Sequence, residues 1–197
     1  MQTGNRLFRV SIDTIAMPPL NSFDIVYNPR KANIDDFYTA RIINITNTLG
    51  RTLSIAVVDQ LCSEYEPYAK LRKDQLILLL YDSIVRIDLN TGAMLQHVTG
   101  QNWGELFEIH PIPDGYIVWG EESILKYDLA LNEIWHFSGR DILLSFHLNP
   151  SFWIEDNIIH CRDFDGRHYL LNFNGELLNE FREAHDPGAP SLHSGQG

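Results

Sequence analysis

Residues 74–92 read DQLILLLYDSIVRIDLNTG, and their apolar and polar positions predict two paired strands. Residues 75–81 form one apolar run, too short for an ordinary helix and rich in strand-compatible side chains. Asp82-Ser83 is a polar break. In residues 84–89, Ile84, Arg86 and Asp88 fall on one side and Val85, Ile87 and Leu89 on the other, because a strand has period 2. Asn90-Thr91-Gly92 closes the unit with turn chemistry.

The unit returns twice. Residues 84–89 align with 124–129 and then with 168–173, so Asp88, Asp128 and Asn172 share one repeat position. An apolar strand precedes each copy, at 76–80, 116–119 and 158–161. Polar hairpin tips separate the strands at 82–83, 121–123 and 163–167. A period near 40 residues with several short strands per unit is a propeller-blade signature. The first strand of each unit is expected in the connecting segments. Residues 106–109 supply it for the second copy and 142–148 for the third, followed by turns at 110–115 and 149–150. Pro111 and Pro113 would remove ladder donors and so mark a strand end.

The N-terminal 60 residues are β-rich but do not match this repeat. Strands are expected at 6–12, 23–27, 37–45 and 52–58, the last two joined by a hairpin through Asn47-Thr48-Leu49-Gly50. Residues 61–73 are expected to hold one short helical turn or to cover a sheet edge. Residues 184–197 carry too little apolar area to offset ordering, which predicts disorder. The domain reading is a single β domain over 1–183, with 1–60 as divergent strands and 74–182 as three blade-like repeats. The fold class is therefore all-β. It is a small or incomplete β-propeller-like array of antiparallel four-stranded sheets, with a β-sandwich as the alternative.

The copies resemble β-propeller repeats of the quinoprotein-like kind, whose blades end in Asp-x-x-Thr-Gly followed by Trp. Asp88-Leu-Asn-Thr91-Gly92 matches the first part, and Gln96 occupies the Trp position. In the second copy Asn132 replaces the Gly and His136 stands at the Trp position; the third copy, 172–175, is one residue shorter. The resemblance covers residues 74–182 and implies architecture only, without the family's cofactor sites.

Composition then narrows the function. At 44% apolar and 11% aromatic residues, the chain of 197 residues can bury a real core. A formal charge of −11 argues against nucleic acid, which needs a basic stripe, and against an anionic membrane surface. No run approaches the roughly 20 apolar residues of a membrane span, and residues 1–6 lack the plan of a signal peptide. Two cysteines, Cys62 and Cys161, are too few for a disulfide framework, so cytoplasmic residence with free thiols is expected.

Candidate chemistry is sparse. Asp163-Phe-Asp165-Gly166 has part of a calcium loop but lacks further ligands, and a hairpin turn accounts for it. Neither His-x-x-x-His nor Cys-x-x-Cys occurs among the eight histidines and two cysteines, so neither a metal nor a cofactor is expected. The carboxylate pairs 35–36, 121–122 and 155–156 are adjacent, and adjacent strand residues point to opposite faces, which makes poor acid–base dyads. Trp103 and Trp153 sit close to loop breaks, and His110 and His147 near the ends of comparable strands. These four are the candidate binding residues. Two classes of function follow. The first is a non-catalytic module that holds a protein partner on a rim or edge, as antitoxin-like immunity proteins of this size and charge do. The second is an enzyme or carbohydrate-binding module whose central pocket the four residues line. The reading favours the first, with the acidic tips suiting a basic protein partner and an uncovered edge offering a route to a homodimer.

Overall fold

The computed structural model describes residues 2–4, 7–59, 65–100, 103–145 and 150–182. His147, Cys62 and the 184–197 tail lie outside the described residues. Among those described, the secondary structure is almost entirely β, the exception being a three-residue 3-10 turn, Leu20–Ser22. No described helix is long and apolar enough to cross a membrane. The chain divides into two compact units, 1–138 and 139–197.

The first unit opens with a five-stranded sheet of β1 (Gln2–Gly4), β2 (Phe8–Ala16), β3 (Ile25–Tyr27), β4 (Thr39–Asn47) and β5 (Thr52–Asp59), in the order β1-β2-β4-β5-β3. Strands β1, β2, β4 and β5 are an antiparallel meander, as in a blade, and β3 adds a parallel edge strand to β5. One face of this sheet carries Val10, Ile12, Ile43, Ile45, Ile55 and Val57, because alternate residues of a strand share a side. Leu20 and Phe23 pack over Ala40, Ile42 and Ala56 on the other face.

Next comes a four-stranded meander of β6 (Ala69–Arg72), β7 (Gln75–Leu79), β8 (Ser83–Asp88) and β9 (Met94–Thr99). A second follows, β10 (Leu106–Ile112), β11 (Gly115–Gly120), β12 (Ile124–Asp128) and β13 (Glu133–Phe137). Strand β11 is buried along its whole length and β7 everywhere but at Gln75, so these inner strands are covered on both faces. The second unit holds one more meander, β14 (Phe152–Glu155), β15 (Ile158–Arg162), β16 (Arg167–Asn172) and β17 (Leu177–Arg182). The all-β, propeller-like class with antiparallel four-stranded sheets is thus the observed one.

Three boundaries differ from expectation. Ala69–Arg72, inside the segment expected to hold a helical turn or cover an edge, is the first strand of the first meander; its pairing with β7, not its own charged sequence, makes it β. Among the described residues the first strand of the third meander is Phe152–Glu155, and residues 142–145 of the expected 142–148 are not strand, the rest of that segment lying outside the described residues. Asp156 and Asn157, both at positive φ (50° and 62°), supply the tight hairpin turn that joins it to β15. Strand β10 also runs through Pro111 to Ile112. The Ile109 N–H donates outward to the Pro67 carbonyl at 2.8 Å, and Pro111 lacks its N–H on that same side, so no ladder bond with β11 is lost.

The shared repeat position does what turn chemistry demands. Asp88 Oδ1 accepts the N–H groups of Asn90 (3.0 Å) and Thr91 (2.8 Å) and the Thr91 hydroxyl (2.8 Å). Asp128 Oδ1 accepts from Ala130 (2.7 Å) and Asn132 (2.8 Å), and Asn172 Oδ1 from Asn174 (2.9 Å) and Glu176 (3.0 Å). Asn47 in the N-terminal sheet repeats the device, accepting from Leu49 and Arg51 at 3.0 Å each. These bonds to the ionised form hold the Asp88 and Asp128 carboxyls below the usual range, against the smaller opposition of burial at Asp128 and the larger one at Asp88. Asp88→Ala is expected to lower stability by about 1 kcal/mol, the size of a lost cap-like bond; an unchanged thermal midpoint would contradict this.

The N-terminal sheet and the first two meanders share one apolar cluster. Polar ties reinforce it. The Tyr27 hydroxyl donates to the Gly92 carbonyl and accepts the Met94 N–H, both at 2.9 Å. Gly92, at φ 75°, lies under Ile25 and Leu53, where a Cβ would approach their methyls to 2.6 and 2.7 Å. The buried Arg41 donates to the Thr14 hydroxyl, its guanidinium 3.7 Å from the Tyr68 ring centroid.

Candidate functional site

Two surfaces of unlike chemistry stand out, one in each unit. In the first unit, the hairpin tips and the loop before β10 gather carboxylates around two tyrosines. The Tyr81 carbonyl accepts the Leu106 N–H at 2.7 Å, and the Glu105 carbonyl accepts the Glu121 N–H at 2.7 Å, which brings tip and loop together. A Cβ on Gly104 would touch Glu121 and Glu122 at 3.1 Å, so the backbone there is flanked by both side chains. Burial, then the charges of Glu105, Glu121 and Asp82, push the Tyr81 phenol up, against Arg30, whose guanidinium lies 5.9 Å from the ring centroid. Burial, then Glu105 and Glu108, do the same to Tyr65. The Tyr65 ring, 39% exposed with its residue, covers Phe107 (4.6 Å between centroids) and Trp119 (5.7 Å).

Arg30 braces this rim. Its guanidinium reaches Asp82 at 2.7 Å and the buried Asp59 at 3.4 Å, and Asp59 also accepts the Tyr81 N–H at 2.6 Å. His97 stands beside this group. Burial, then Arg30, lower its pKa, against Asp82 and Asp59. A histidine whose folded pKa lies below its unfolded value destabilises the fold when protonated. Stability should therefore fall as pH drops below about 6.5, before the Asp88 and Asp128 carboxyls titrate. Thermal midpoints measured from pH 7.5 to 5 should show this slope, and His97→Asn should reduce it; an identical slope in the variant would contradict the assignment.

The second unit carries a different constellation. Trp153 stacks on His160 at 4.5 Å with 15° between planes, and the Arg162 guanidinium lies 4.6 Å from the indole centroid. His160 Nδ1 and His168 Nε2 are 3.1 Å apart, and His168 packs against Phe181 at 4.9 Å. Burial, then Arg162, lower the His160 pKa, against Glu155.

Strand register shows why this face is unusual. The cross-strand pairs Leu79–Ile84 and Ile77–Arg86 of the first meander recur as Trp119–Ile124 and Ile117–Lys126 in the second. In the third they become Arg162–His168 and His160–Leu170. Three apolar positions have turned into His160, Arg162 and His168, and of these only His168 is buried. The opposite face of the third sheet keeps Ile159, Cys161, Tyr169 and Leu171, all buried.

Of the four residues singled out in the sequence, Trp103, His110 and Trp153 are among the described ones. Trp103 is buried in the core, its ring 6.0 Å from Tyr127 and so close to Gly100 that no Cβ fits there. His110 is half-buried, with Nε2 2.7 Å from Glu108 Oε2. Trp153 belongs to the cluster of the second unit. His160, Arg162 and His168 carry no motif of their own, although aligning Ile84, Ile124 and His168 exposes the change of chemistry at that position.

Other candidates resolve into structure. Asp163, buried, accepts the Arg167 N–H (2.8 Å) and the Tyr169 hydroxyl (2.7 Å), and Gly166 at φ 76° completes the hairpin turn expected at 163–166. Burial and that hydrogen bond push the Tyr169 phenol up to about 12. Cys161 is fully buried and its thiol pKa is pushed up, which leaves it a small hydrophobe. Among the described residues no three His, Cys, Asp or Glu side chains converge as a metal site.

No family model matches the chain, and no curated protein matches it. Solved structures similar to it include the computationally designed Ika8 protein, 12% identical, with a TM-score of 0.49 over 73% of this chain and 47% of that one. The designed Ika4 protein is 13% identical, with a TM-score of 0.48 over 64% of this chain and 82% of that one. BamB from Moraxella catarrhalis is 12% identical, with a TM-score of 0.44 over 75% and 47%. The chain spans about half the length of Ika8 and of BamB.

Proposed function

We propose that the chain is a non-catalytic protein-binding module and that the carboxylate-and-tyrosine rim of the first unit meets the partner. The observation that carries this is the convergence of Glu105, Glu121 and Asp82 on the Tyr81 phenol, beside the exposed Tyr65. Tyrosine offers large contact area with little side-chain entropy to lose, and the carboxylates favour a basic partner and speed its approach. The core position of Trp103 removes one wall from the pocket that the enzyme or carbohydrate alternative needs. An immunity-type role in the cytoplasm extends the proposal by analogy in size and charge. The edge strand β17, exposing Leu177, Leu178 and Phe181, offers a second route, to a homodimer.

A deca-lysine peptide serves as the probe. Calorimetry should show saturable, salt-sensitive binding, weakened about tenfold or more by the pair Glu121→Lys and Glu122→Lys. No binding, or binding indifferent to that pair, would overturn the rim assignment.

A further inference from the structure

The third sheet departs from its own repeat where the first two do not. Positions that hold Leu79, Ile77 and Ile84, then Trp119, Ile117 and Ile124, hold Arg162, His160 and His168. Burying the His168 imidazole costs more than burying the isoleucines it replaces, and His160 and Arg162 stand only half-buried where the first two meanders hold buried apolar residues. A face built only to meet water has no use for an indole, and Trp153 stands half-buried among these groups with Phe181 exposed at the edge. Breaks in a local rule of this kind mark functional surfaces, and Trp and Arg are the residues that anchor interfaces.

We propose that this face binds a carboxylate-bearing partner segment, the acid group seated on Arg162 and the His160–His168 pair beside the Trp153 indole. The charge on the face selects the occupant. Arg162 is its cation, the two imidazoles are hydrogen-bond donors or acceptors, and Glu155 is the carboxylate at its margin. Geometry selects among anions. The Arg162 guanidinium lies over the indole and donates from Nη1 to the Pro150 carbonyl at 2.7 Å. A guanidinium held over a ring meets ligands with its N–H edge, and that planar fork matches a carboxylate. The assignment is independent of the rim in the first unit, which has the opposite charge preference.

The test uses the full chain and two probes, an acetylated tri-glutamate peptide and inorganic phosphate, each titrated by calorimetry and by NMR of the histidine rings. The peptide should bind saturably and shift the His160 resonances. Arg162→Gln should weaken it about tenfold or more, the scale of a lost charge-assisted hydrogen bond, and Arg162→Lys should not restore it. Phosphate binding as tight as the peptide's would overturn the carboxylate assignment. A peptide that leaves the His160 resonances unmoved, or that binds Arg162→Gln as well as the parent, would overturn the site. Should Arg162→Gln fail to fold, the His160 shift in the parent chain decides alone.

Discussion

Trp103→Ala should lower the stability of the first unit by about 3–5 kcal/mol, the cost of emptying a large aromatic site in a packed core. Trp103 is 6% exposed and belongs to the cluster that joins the N-terminal sheet to the first two meanders. Its ring meets Tyr127 edge to face, and Gly100 presses against it. Neither neighbour can fill the space: Gly100 has no side chain, and Tyr127 is held in the middle of its own sheet. Trp103→Phe should cost much less, because most of the apolar area stays. Thermal or urea unfolding measures both. A midpoint for Trp103→Ala within experimental error of the parent would mean that the ring is a surface anchor after all. The effect on binding should follow the rank order of stability and show no specific loss of deca-lysine affinity in the folded fraction.

What could be read from the sequence was local. Period-2 alternation in 84–89 and its copies at 124–129 and 168–173 reports the strand directly, because each residue's side is fixed by the backbone. The Asx bonds of Asp88, Asp128 and Asn172 close within four residues of the side chain that makes them, so the turn chemistry suffices to find them. What depends on distant partners was not legible. Ala69–Arg72 is a strand only because β7 lies beside it. Pro111 sits in a strand because its missing N–H happens to face away from the ladder, which no sequence pattern states. Trp103 looks like a loop residue and is a core residue, since closeness to a break in the chain says nothing of burial.

The candidate surfaces divide the same way. The tip carboxylates Glu121 and Glu122 are legible as solvated hairpin residues, but the meeting of Glu121 with Tyr81 and Glu105 depends on how loops fold back. Trp153 was named from its position, while its companions His160, Arg162 and His168 required the register of β15 against β16. Asn47, in the hairpin expected at 47–50, carries a further signal. Its spacing to Gly50 equals that of Asn172 to Gly175, and the two hairpins have the same bonds. The N-terminal sheet is therefore closer to a blade than its sequence suggests, with β3 added at its edge.

The N-terminal sheet is an integral wall of the first unit. Val10, Ile12, Ile43, Ile55 and Val57 share a cluster with Leu76, Val85 and Ile87, Gly92 sits beneath Ile25 and Leu53, and Asp59 holds the Tyr81 N–H. A chain beginning at residue 66 would keep every strand of the three meanders and lose that wall. Its first meander would present an apolar face to water, and each buried aliphatic side chain stripped of cover forfeits about 1.5–3 kcal/mol. Several such losses exceed the 5–15 kcal/mol by which a domain is ordinarily stable. Calorimetric melting of residues 66–197 tests this directly. The expected result is an insoluble product, or a soluble one in which the first two meanders melt without a cooperative transition; a soluble 66–197 chain in which those two meanders melt cooperatively would contradict this and make the N-terminal sheet an appended module.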